Sequence, residues 1–312
     1  QGLTTVCAKH CPSSGLRPRE LVRLPMVTVL KIAVAGAFFA LTVWFLEPAS
    51  LWRAVAQVTG LELVICGSFA LLGILVQWVK WQQLARSISP ELNWTDGLYS
   101  LLGGAALGFI TPGRLGEIGR GIFLARDRAS LTVLAAVDKL SSVIITIGLG
   151  LFGALVLWPQ YRIGLLLALI PFGIGIRWGW KRWGEGGEVV SQVSSWGAVI
   201  GWSVLFNLLF MSQFYWLVRG SDSAHLVVIL AIPVVFALKA LLPVAFMDVG
   251  VREAAAVFVF NALNLEAESA FIASTLLFAF NVCLPAAFGG AWIIVRRAMV
   301  DKNNEMIRKV AL

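Results

Sequence analysis

Gly108-Phe-Ile-Thr-Pro-Gly-Arg-Leu-Gly-Glu-Ile-Gly-Arg120 breaks an otherwise apolar stretch with a proline, several glycines and three charges. A second break reads Leu242-Pro-Val-Ala-Phe-Met-Asp-Val-Gly-Val-Arg-Glu253. Around them lie apolar blocks of about 20 residues, long enough to cross a bilayer as helices. Block edges predict six full spans, at about 29–46, 61–81, 131–157, 163–176, 196–218 and 270–295. The interrupted blocks, 97–125 and 226–263, are read as re-entrant hairpins that turn at Pro112 and Pro243. The alternative is that both prolines kink ordinary helices, giving about eight spans. On either reading the fold class is all-α, a polytopic helical membrane protein.

Composition agrees. Of 312 residues, 59% are hydrophobic and 13% charged, with mean hydropathy +0.84. A soluble domain has about 45–50% apolar and about 25% charged residues, so a soluble globule is excluded. A transmembrane barrel is excluded as well, since its strands alternate over about ten residues. The net charge of +8 fits Lys and Arg gathered in cytoplasmic loops. With the N-terminus inside, most Lys and Arg fall on the cytoplasmic face, Lys80 among them, and both termini are cytoplasmic. Arg114, Arg120, Lys139, Lys239 and Arg252 remain at membrane depth. No basic stripe interleaves with aromatics, so no nucleic-acid partner is expected.

The blocks follow the order span, span, hairpin, span, and then repeat it. Each half has an odd number of crossings, so the second half, about 161–297, is an inverted copy of the first, about 29–158. Inverted repeats with broken helices at the bilayer middle are a transporter architecture. A cytoplasmic segment, 1–28, precedes this single transmembrane domain, and a basic cytoplasmic tail, 298–312, follows it. No cleavable leader is expected.

Chemistry concentrates at the two breaks. Irregular backbone at membrane depth is tolerated only where it is buried in protein or lines a wet cavity. The half-helix after each break offers free N–H groups to an anion. Thr111, Pro112, Gly113, Arg114, Gly116, Glu117 and Arg120 form the first candidate element. Asp138 and Lys139 near the start of the third span, and Lys239 one turn before Pro243, extend it. Pro243, Asp248, Gly250, Arg252 and Glu253 form the second. Arg114 and Arg120 would lie on different faces of a regular helix, and the broken turn at Gly113 is expected to bring both to one cavity. Glu117 stands three residues from each and can pair with either. Arg252 and Glu253 are adjacent, so one of them is expected to reach across to the other repeat. Arginine suits phosphate because its planar fork binds two oxygens.

Other motifs carry little. Gly148-Leu-Gly-Leu-Phe-Gly153 matches a dinucleotide fingerprint by letters but sits mid-span, where small residues pack helices. Cys7, His10 and Cys11 lack a second cluster, and His225 is the only other histidine. No catalytic residue, cofactor or metal site is therefore expected, and the chain is not expected to be an enzyme.

At these breaks the chain resembles the lysylphosphatidylglycerol synthase transmembrane (flippase-like) family. Thr111-Pro-Gly-Arg-Leu-Gly-Glu-Ile-Gly-Arg120, then Leu124-Ala-Arg and Val137-Asp-Lys-Leu, is similar to its first signature. Leu242-Pro through Asp248-Val-Gly-Val-Arg-Glu253 is similar to its second, and Leu284-Pro to Gly290 to its closing segment. Asp138-Lys139 stands where Glu-Arg is usual, and Met247-Asp248 replaces a Gly-rich pair. The resemblance implies flipping of an anionic phospholipid or lipid-linked phosphate in a bacterial or archaeal inner membrane. It also implies a separate lipid- or glycan-modifying enzyme as partner. On residues alone, a secondary transporter of a small anion and a non-catalytic membrane partner stay open, as does the oligomeric state.

Overall fold

A computed structural model describes residues 56, 58–111, 113–167, 173, 177, 184–193, 195–218, 225–241 and 250–310. The expected first span and N-terminal segment lie outside these residues, as do Pro112, Pro243, Asp248 and most of the fourth span. Among the described residues every regular element is helical, as expected of a polytopic helical membrane protein.

Helix α1 (Gly60–Arg86) is started by Thr59, whose hydroxyl accepts from the Glu62 N–H at 3.3 Å. The Glu62 carboxylate accepts from the Thr59 N–H in return, at 2.8 Å. α2 (Trp94–Ile110) follows, then a 3-10 segment (Leu115–Phe123) and α3 (Arg128–Leu157). α4 (Gly184–Ser191) leads to α5 (Trp196–Val218), α6 (His225–Leu241) and α7 (Val251–Ala262). α8 (Ala267–Phe278) continues through a π turn (Ala279–Cys283) into α9 (Leu284–Val310). The turn has a local cause. Pro285 has no N–H for the carbonyl four residues back, and the Leu284 N–H instead bonds to Ala279 O, five back.

Four stretches are long and apolar enough to cross a membrane: α1, α3, α5 and Ala267–Arg296. Their outer faces suit lipid. Leu61, Val64 and Leu71 on α1, Phe152 on α3 and Ile200 on α5 are half or more exposed. In a bilayer such surface meets acyl chains, so it is solvated rather than a liability.

α1 packs on α5, and two further pairs cross between distant parts of the chain, α3 with α6 and α2 with α9. Both crossed pairs are made close by glycine. A Cβ on Gly150 would meet Pro233 O at 2.6 Å, and one on Gly289 would meet Leu102 O at 2.0 Å. Leu102 and Pro233 each stand ten residues before their elbow proline. The Gly148–Gly153 stretch is accordingly a packing motif: Gly150 and Gly153 seat α6, while Gly148 faces open space.

The core has two parts. One gathers Phe214, Phe236, Phe260 and Phe271 among α5 to α8. The other gathers Trp81, Leu84, Leu131 and Leu134 between α1 and α3. The charged elements lie between them.

A cationic cavity as the candidate functional site

The first elbow is built by backbone. Gly113 and Arg114 both have positive φ, 59° and 56°, which reverses the chain after α2. Thr111 Oγ donates to Leu107 O at 2.9 Å and accepts from the Gly116 N–H at 2.7 Å, closing the turn. Gly116 lies so near Leu107 O that a Cβ would stand 2.3 Å from it.

The returning arm is a 3-10 helix, with three residues per turn. That period stacks Glu117, Arg120 and Phe123 on one face. The face lies on three glycines of α2, with Glu117 over Gly108, Arg120 over Gly104 and Phe123 over Gly103. Ser100 Oγ donates to Arg120 O at 2.7 Å and pins the arm. The expected convergence of Arg114 and Arg120 therefore occurs, and the 3-10 repeat together with the turn at Gly113 produces it.

Two ion-paired groups follow. Asp138 of α3 sits between Arg120 and Lys80, with Lys80 Nζ 2.8 Å from its carboxylate. All three are buried. The Arg120 guanidinium lies 3.9 Å from the Trp81 ring centroid, a cation–π contact. Lys80 also donates to Ser142 and Ser203, each at 3.3 Å. In the second group Glu117 gives one carboxylate oxygen to Arg114 and the other to Lys139. This group is more open, with side chains 21–32% exposed. Of the two arginines it could have paired with, Glu117 takes Arg114, because Asp138 holds Arg120.

Both groups border a cavity of about 250 Å³. Arg114, Glu117, Arg120, Asp138, Lys139 and Lys239 line it, with Gln77, Ser142, Thr146, Asn207 and Asn281. The rest of its wall is apolar, including Ile74, Leu101, Val143, Phe206, Phe210 and Phe236. Among the described residues, Arg114, Arg120, Lys139 and Lys239 line the cavity with the carboxylates of Glu117 and Asp138, and Lys80 lies behind Asp138. The Nε groups of Arg114 and Arg120 are buried and have no hydrogen-bond partner among the described residues. Thr146 Oγ donates to Asn207 Oδ1 at 2.7 Å, tying α3 to α5 across the cavity. Asn281 Nδ2 donates to Gln213 Oε1 at 2.8 Å, tying the π turn to α5.

The second elbow behaves differently. Gly250, at φ 85°, starts α7, and its N–H donates to the Glu253 carboxylate at 2.8 Å. That fold-back sets the carboxylate beside its neighbour, and Arg252 Nη2 donates to Glu253 Oε1 at 2.5 Å. Arg252 Nε donates to Ser274 Oγ at 2.8 Å. The expectation that adjacent Arg252 and Glu253 could not pair is thus corrected. A capping carboxylate turns back along the helix axis instead of standing out on its own face. Both residues are buried and outside the cavity wall, as is Gly250. They remain near it: the Arg252 guanidinium lies 5.3 Å from the Phe278 ring, and Phe278 stacks on Phe109 just before the first elbow. From the second hairpin, Lys239 and Ala240 at the end of α6 reach the cavity itself.

Lys80 is a second correction. Expected on the cytoplasmic face, it is fully buried against Asp138. The signal was present as a stripe at helical spacing: Cys66, Ala70, Gly73, Gln77 and Lys80, small or polar positions in an apolar helix. No group of three or more metal-ligating side chains occurs among the described residues.

The family described as lysylphosphatidylglycerol synthase TM region matches residues 28–180. Over this segment the chain is similar to that family. The lysylphosphatidylglycerol synthase TM match contains the first elbow, the 3-10 arm, Lys80 and the Asp138–Lys139 pair, and ends before the second elbow. It supports integral membrane placement together with the four apolar spans. No curated protein matches the chain.

Proposed function

We propose that this protein moves an anionic phospholipid, or a lipid-linked phosphate, between the leaflets of the cytoplasmic membrane. The observation that carries the reading is the convergence of Arg114, Arg120 and Lys139 on a cavity whose wall is otherwise largely apolar. A phosphate would take the unused Nε–H donors of Arg114 and Arg120, and acyl chains would lie against the apolar wall. Charge at this depth is costly, so ionisable groups gathered on one cavity argue for a charged ligand. The family match supports a lipid-related role. The Lys and Arg bias supports cytoplasmic termini. The protein provides a path and no chemistry, and any lipid- or glycan-modifying step belongs to a partner enzyme.

The test is reconstitution of the purified chain into vesicles that contain a fluorescent phosphatidylglycerol analogue. A membrane-impermeant quencher then reports how much analogue becomes accessible from outside. Accessibility of the inner-leaflet fraction in vesicles holding the protein, with none in empty vesicles, is the expected result. Uptake of free phosphate with no lipid movement would select transport of a soluble anion instead.

A further inference from the structure

We infer that Glu117 is a resident surrogate for the ligand's phosphate, occupying Arg114 and Lys139 until the phosphate displaces it. The inference rests on the lipid-phosphate reading above and deepens it by assigning the exchange step.

The two carboxylates that line the cavity among the described residues are held in opposite ways. Asp138 is enclosed by Arg120 and Lys80, and none of the three is more than 8% exposed at its side chain. Nothing can replace it without unpacking Trp81, over which Arg120 lies. Glu117 is the accessible one. It, Arg114 and Lys139 are 21%, 22% and 32% exposed, and all three line the cavity.

The geometry of Glu117 imitates a phosphodiester. Each oxygen of its carboxylate serves one cation, Oε1 with Arg114 and Oε2 with Lys139. A phosphodiester likewise presents two anionic oxygens on one centre, so it makes the same pair of contacts. It can also take the buried Nε–H of Arg114, which Glu117 leaves without a partner. Its attachment lets it leave: the side chain crosses Gly108, where no Cβ blocks it, and rotation about its own bonds carries the carboxylate away. The phosphate takes over the contacts that Glu117 gives up, so Arg114 and Lys139 keep an anionic partner throughout. The return of Glu117 then expels the phosphate, which a transporter requires and a tight binding protein does not.

The experiment uses the full chain in detergent and two probes, dihexanoyl phosphatidylglycerol and glycerol 3-phosphate, with affinity read by calorimetry. Glu117→Gln is expected to bind dihexanoyl phosphatidylglycerol about tenfold tighter than wild type, because the competing anion is gone. The same variant, reconstituted, is expected to move lipid several-fold more slowly, because release is no longer assisted. Glu117→Asp, too short to span both cations, is expected to fall between the two on both readouts. Binding of glycerol 3-phosphate with the same tightening would place the source of the phosphate in solution and still support the exchange. Unchanged or weaker binding by Glu117→Gln, with wild type binding normally, would overturn the surrogate while leaving the lipid-phosphate reading in place. No binding of either probe by wild type and variant alike would overturn both.

Discussion

Asp138 and Glu117 are both acidic, but their surroundings give them different stability roles. Removing the charge of Asp138 strands Arg120 and Lys80 in a closed interior. Breaking a buried pair from one side costs about 3–5 kcal/mol. Asp138→Asn is therefore expected to lower the unfolding midpoint in detergent sharply, and adding Lys80→Met to recover part of the loss. Wild-type stability of Asp138→Asn would contradict this. Glu117→Gln, on a group a fifth exposed, is expected to stay within about 1 kcal/mol of wild type in the same measurement. The cost of burying charge is also why much of the site was legible from residues alone. Arg114, Glu117, Arg120, Asp138 and Lys139 stand in an apolar chain, and ionisable groups at membrane depth need a reason to be there. Lys80 escaped the same logic because it was counted with the cytoplasmic cations at the end of its span. Arg252 and Glu253 were over-read: charge marked them, but a helix cap and Ser274 satisfy them.

At the scale of elements, close approach decides the architecture. The 3-10 arm lies on Gly103, Gly104 and Gly108, and a Cβ at Gly104 would stand 2.6 Å from that of Arg120. Gly104→Ala is expected to push the arm away, costing about 1–3 kcal/mol and loosening Arg120 from Asp138. A fall in both stability and lipid movement, measured on the same preparation, is the expected result. Gly289→Ala is expected to cost a similar amount, since Leu102 O leaves no space for a methyl group. Gly148→Ala, with open space around it, is the control expected to be silent. The apolar spans were readable because length and hydropathy suffice to define them. The 3-10 arm was not, because runs beyond three or four residues are uncommon and the letters Leu115–Phe123 fit an α-helix as well. The glycine-rich character of α2 was visible, but its partner was not, since close approach is a property of the pair.

For the whole molecule, α3 packs on α6 and α2 on α9, and residues of all four helices line the cavity. The first hairpin supplies Arg114, Glu117 and Arg120, and the second supplies Lys239. Among the described residues the two contributions are unequal, because Arg252 is sealed within a pair. A path for a lipid phosphate then depends on the first hairpin. The most direct test is native mass spectrometry of the protein purified in mild detergent, comparing wild type with Arg114→Gln. The account predicts a phosphate-bearing anionic lipid retained by wild type and largely lost from Arg114→Gln. A wild-type protein carrying only the bulk lipid mixture, unchanged in Arg114→Gln, would contradict it.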